Sequence, residues 1–116
     1  MELVAFIGSD RENWGQVSAL IKRGNWNRII LVKNSDAREF PDAGAERIEI
    51  DSKDPLIDLK KDLVEKLGKK IRGIEVALSI ASGNGKEHMA LISALLSIPA
   101  GVRLVAFTKS GLEYIN

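Results

Sequence analysis

Hydrophobic and polar positions along the chain alternate between two kinds of pattern. Residues 3–7 and 29–32 are uninterrupted apolar runs, and residues 74–80 and 104–107 are largely apolar. Such runs mark strands covered on both faces, as in a parallel sheet. Residues 47–50 instead alternate charged and apolar, the pattern of an edge strand with one wet face. Between the runs, apolar residues recur at helical spacing. Trp14, Val17, Leu20 and Ile21 form one stripe, and Leu56, Leu59, Leu63 and Leu67 form another. Residues 35–40 predict a single helical turn before Pro41, and residues 112–115, after Ser110 and Gly111, a short antiparallel last strand.

Local signals bound these helices. Ser9 and Glu12 stand at capping-box spacing and predict a helix start there, with Gly24 ending it. Asp54 predicts a cap with Pro55 at the first helical position, and Gly68 a stop. Lys66, Lys69 and Lys70 suit the negative end of that helix. The order strand, helix, strand, strand, helix, strand, helix, strand predicts an α/β, Rossmann-like, doubly wound sheet. The sheet is expected to be mostly parallel, in the order 3-2-1-4-5, with the short antiparallel strand last. The first and fourth strands then lie side by side, and their following loops flank one crevice at the carboxyl edge.

A third helix is expected over 86–98. Met89, Ile92 and Leu96 form one apolar stripe, and Leu91, Leu95 and Ile98 a second, with Ala90 and Ala94 between them. A helix apolar on two sides is covered on two sides. One cover is the sheet. The other is either the chain's own neighbours or a second copy in a two-fold contact, with Leu91, Leu95 and Ile98 as the residues least affordable in water.

Composition narrows the chemistry. The 116 residues suit one domain spanning 1–116, with 17 basic and 16 acidic side chains nearly in balance. No global basic field argues for long DNA or RNA. There is no cysteine and a single histidine, His88, so a thiolate or histidine metal site is not expected, and no cofactor is implied. No signal peptide or membrane-length apolar run is seen, so a soluble cytoplasmic protein without membrane partners is the expectation.

The strand-to-helix turn Ser82, Gly83, Asn84, Gly85 and Lys86 carries the strongest candidate chemistry. Free N–H groups at a helix start, with a lysine beside them, suit a phosphate. Asn84 and Glu87 also stand at capping-box spacing, which needs no ligand. The turn is neither a P-loop nor a dinucleotide fingerprint, because Ile80, Glu87 and His88 occupy positions those motifs reserve for other residues. Ser9 and Asp10, on the loop after the first strand, are expected across the crevice.

In layout, and in Ser82, Gly83, Lys86 and Met89, the chain resembles the CRISPR-associated Rossmann-fold (CARF) family. Asn84 stands in place of that family's second glycine, and Met89 one residue late. The resemblance implies a homodimer, here through the helix over 86–98, that binds a cyclic oligoadenylate on its axis; most members of that family carry an effector domain, which is not expected within residues 1–116. It also implies possible ring cleavage without metal, the ribose 2′-hydroxyl attacking the adjacent phosphate. Lys86 would then neutralise a phosphate, Gly83, Asn84 and Gly85 donate backbone N–H groups, and Ser9 and Asp10 meet ribose or base. Two alternatives stay open: a dimeric interaction module with a degenerate pocket, and a different small-molecule enzyme with His88 as acid or base.

Overall fold

The computed structural model describes residues 1–42 and 44–116. Among these residues the strands are β1 (Glu2–Ile7), β2 (Arg28–Asn34), β3 (Glu46–Ile50), β4 (Glu75–Ser79), β5 (Gly101–Thr108) and β6 (Gly111–Tyr114). The helices are α1 (Trp14–Arg23), α2 (Leu56–Lys70) and α3 (Gly85–Leu96). The strands form one sheet in the order β3-β2-β1-β4-β5-β6. Neighbours from β3 to β5 run parallel, and β6 returns antiparallel on β5. The fold is therefore α/β and Rossmann-like, as the pattern of apolar runs predicts.

The central strand β1 is buried along its whole length because helices cover both faces. Leu3, Ala5 and Ile7 pack with Val17 and Leu20 of α1. Val4 and Phe6 point the other way, into a core shared with Leu59, Leu63 and Leu67 of α2 and Leu91 and Leu95 of α3. Alternate residues of a strand face opposite sides, so an unbroken apolar run is what a doubly covered strand requires. The edge strand β3 keeps Arg47 exposed and buries Ile48 and Ile50.

Four local expectations are corrected. The Ser9–Glu12 capping box does not form: residues 11–13 make a 3-10 turn, and α1 starts at Trp14 with no side-chain cap. Distant partners draw Ser9 and Asp10 away from the helix end, as described below. Helix α2 starts at Leu56, with Pro55 in the cap position and Asp54 in the preceding turn, its N–H bonded to the Asp51 carbonyl. Gly68 does not stop α2, which runs on to Lys70. The stop comes where Glu2, buried at the start of β1, accepts the N–H groups of Arg72 and Gly73 and pulls the chain into β4.

The fourth correction concerns α3. Leu91 and Leu95 are wholly buried in the chain's own core, and Ile98 packs against it. The open stripe is the other one: Met89 is 59% and Leu96 73% exposed.

One side chain runs against its composition. Lys33, inside β2, is 0% exposed. Its ammonium meets the Asp42 carboxylate and the Phe40 carbonyl and lies over the Phe40 ring. A buried charge is tolerated only when paired in this way.

Candidate functional site

The loops after β1 and β4 meet at the carboxyl edge of the sheet, in direct contact. A Cβ on Gly8 would lie 2.7 Å from the Gly83 Cα. Gly83 has φ +107°, and a Cβ there would lie 2.7 Å from Phe6 Cδ1. Glycine at both positions lets the two backbones touch.

Side chains seal the same contact. The Ser82 hydroxyl accepts the Gly8 N–H at 2.8 Å and donates to Asp10 Oδ1 at 2.7 Å. The Gly83 N–H donates to that oxygen at 2.9 Å, and the Asn13 amide to Asp10 Oδ2 at 2.7 Å. Burial disfavours the charged form of Asp10. Together the hydrogen bonds from Ser82, Asn13, Gly83 and its own backbone outweigh that and hold its pKa below the ordinary value. Asp10 thus occupies two donors of the turn that a phosphate would use.

The start of α3 is capped as its spacing predicts. Asn84 Oδ1 accepts the Glu87 N–H, and Glu87 Oε1 accepts the Asn84 N–H, both at 2.9 Å. Glu87 does more than cap. Only 1% exposed, it accepts the Asn34 amide on Oε2 at 2.9 Å and the Ser52 hydroxyl on the same oxygen. One buried carboxylate therefore ties α3 to the ends of β2 and β3. Lys86 reaches the same segment, its ammonium donating to the Ser52 carbonyl at 2.9 Å. The N–H groups of Gly85 and Lys86 have no acceptor among the described residues.

Ser9 sits apart from the glycine turn. Its hydroxyl donates to Asp36 Oδ2 at 3.2 Å and accepts the second proton of the Asn34 amide at 3.1 Å. The sequence-predicted residues thus share one edge of the sheet but fall into three groups. Asp10, Ser82 and Gly83 lock together, Ser9 faces the end of β2, and Lys86 faces the loop after β3. Asn34, Ser52 and the buried role of Glu87 were not foreseen. The one available signal was the polar pair Asn34 and Ser35 at the carboxyl end of β2, where ligand loops begin in this fold.

His88 bonds through Nε2 to the Ser82 carbonyl at 2.7 Å, with its ring edge-on to Phe6. A carbonyl only accepts, so Nε2 carries the proton. His88 and Gly85 stand at the head of an open groove of about 550 Å³, floored by Met89, Ile92 and Leu96. Among the described residues, no three His, Cys, Asp or Glu side chains group to hold a metal ion, and no helix is long and apolar enough to cross a membrane.

Neither a protein-family model nor a curated protein matches the chain.

Proposed function

We propose that the domain is a CARF-like sensor that binds a cyclic oligoadenylate at the interface of a cytoplasmic homodimer. One observation carries the reading: an apolar stripe, with Met89 and Leu96 exposed and Ile92 half-buried between them, runs along α3 directly from the Ser82–Lys86 turn. Two copies packed on this stripe would bring two turns toward one axis. Phosphates of the ring would meet the N–H groups of Gly85 and Lys86 and the exposed Lys86 ammonium. Its present acceptor, the Ser52 carbonyl, is neutral and exchangeable for an anion. If the ring is cut, its own 2′-hydroxyl is the nucleophile, and the protein supplies geometry and charge.

The test is calorimetry with cyclic tri-, tetra- and hexa-adenylate at two salt concentrations. Wild type should bind one ring, and Lys86→Ala should bind it about ten- to a hundredfold more weakly, a loss of roughly 1.5–3 kcal/mol. The difference should shrink with salt. No binding by wild type overturns the reading.

A second reading, a dimeric interaction module with a degenerate pocket, is favoured by Asp10. Its carboxylate already fills the donors of Ser82 and Gly83. A dimer that binds no ring is the outcome this reading expects.

A further inference from the structure

The outer strands β5 and β6 carry aromatic and basic side chains on the sheet face opposite α3. Val105, Phe107 and Leu112 lie on the α1 side of the sheet. Pairing sets Phe107 opposite Leu112 and Val105 opposite Tyr114, and directly opposed residues point to one face. Arg103, two residues before Val105, shares that face. Phe107 and Tyr114 are then diagonal neighbours, close enough for one ligand to touch both.

Each ring is met by an arginine. The Arg23 guanidinium lies over the Phe107 ring, 5.8 Å from its centroid, and the Arg103 guanidinium over the Tyr114 ring at 4.3 Å. Neither arginine pairs with a carboxylate among the described residues, whereas Arg11, Arg28, Arg38 and Arg47 each meet one. Arg103 spends Nε on the main-chain oxygen of Asn116 at 2.9 Å and keeps its Nη groups free. Arg23 stands in the last turn of α1, where a cation suits the negative helix end. That accounts for its charge but not for its place over Phe107. Arg23 and Tyr114 are exposed, and Arg103, Phe107 and Leu112 are half-buried.

This set selects a ligand class. A guanidinium is flat: bases stack on it as they do on aromatic rings, and its N–H edge forks onto a phosphate. One arginine–aromatic pair therefore offers both contacts that a nucleotide needs, and two such pairs stand on one face. A double helix keeps its base faces stacked inside and would gain only from the charge. A membrane surface asks for protruding apolar side chains, but Phe107 and Leu112 are half-buried. The near balance of 17 basic and 16 acidic residues, with no broad basic field, limits the contact to a few nucleotides.

We propose that the β5–β6 face binds a short single-stranded segment of nucleic acid, its bases stacked on the Phe107–Arg23 and Tyr114–Arg103 pairs and its phosphates held by the two arginines. The face lies across the sheet from α3, so the assignment does not rest on the cyclic ligand proposed above.

The experiment is a titration of the ¹⁵N-labelled full chain with single-stranded hexathymidylate, followed by amide chemical shifts, with inorganic tripolyphosphate as the probe of charge alone. Stacking is tolerant of base identity, so a strand without adenine serves and avoids any likeness to the ring. The amides of Phe107, Leu112 and Tyr114 should shift in a saturable way. Tyr114→Ala should weaken the hexamer about tenfold. Arg23→Gln, at an exposed position, should weaken it too and flatten the slope of log K against log salt by about 0.7. Both variants are checked for fold by circular dichroism. Shifts absent from the hairpin, or confined to the Ser82–Lys86 turn and the α3 groove, overturn the proposal. So does tripolyphosphate binding to the hairpin as tightly as the hexamer, or unchanged affinity in both variants. Ring binding is read at the amides of the Ser82–Lys86 turn and hexamer binding at those of the hairpin, so either reading fails without the other.

Discussion

Asp10 Oδ1 receives the Gly83 N–H at 2.9 Å across 73 positions of sequence, and so joins the loop after β1 to the turn that opens α3. The carboxylate acts where an anionic ligand of that turn would act. Its removal has two separable consequences.

Asp10→Ala should destabilise the domain by about 1–3 kcal/mol at neutral pH, since it leaves the Ser82 hydroxyl and the Gly83 N–H without their acceptor. The folded-state pKa of Asp10 lies below its ordinary value of 3.8. Its contribution is therefore complete above that value and is lost as pH falls through the lower, folded-state pKa. Urea unfolding of wild type and variant at pH 7 and pH 3 should show the gap narrowing at the acid end. The same variant exposes both donors and should raise affinity for an anion at the turn. A gap that widens in acid contradicts the assignment.

Glu87→Gln should cost about 1.5–3 kcal/mol, although the side chain keeps its length. The amide nitrogen brings donors to a position where the Asn34 amide, the Ser52 hydroxyl and the Asn84 N–H already donate. A simple helix cap would lose less, because glutamine also serves in a capping box. Thermal or denaturant unfolding distinguishes the two cases.

Gly83 and Gly85 should respond in opposite ways to alanine. At Gly83 the positive φ costs about 1–3 kcal/mol, and the overlap with Phe6 adds to it. At Gly85, the first residue of α3, nothing lies within 4 Å of an added Cβ. Gly85→Ala should leave stability unchanged or raise it by about 0.4–1 kcal/mol. Midpoints of denaturation for the two variants are the measurement.

The two stripes of α3 should separate folding from association. Leu91→Ala, in the closed core, should cost about 2–5 kcal/mol and leave the oligomeric state of the folded protein unchanged. Met89→Glu combined with Leu96→Glu, at exposed positions, should leave stability nearly unchanged and convert a dimer to a monomer in light scattering. A wild type that is already monomeric at micromolar concentration rules out the dimer.

Strand positions and sheet order were legible in the sequence because they rest on periodicity. The apolar run of β1, too short for a helix and ended by Gly8, fits a strand covered on both faces, and right-handed crossovers then place β4 beside it. The capping box of Asn84 and Glu87 was legible for a related reason: both of its bonds close within three residues. Other local signals were overruled by partners far away in sequence. Ser9 read as a helix cap and Asp10 as a free loop residue beside it, yet Asp36, Asn34, Ser82 and Gly83 claim their oxygens, and α1 starts uncapped. On α3 the two apolar stripes are alike in composition. Only the packing of α2 decides that Leu91 and Leu95 go inward while Met89 and Leu96 stay open. Glu87 shows both sides at once: its spacing declares one pair of bonds, but its burial and its hold on Asn34 and Ser52 exist only once three strand ends converge. Periodicity and short-range hydrogen bonding are properties of a segment, and these the chain states by itself. Which of several acceptors a donor finds, and which of two equal faces is covered, depends on where other segments lie, and that only the folded structure decides.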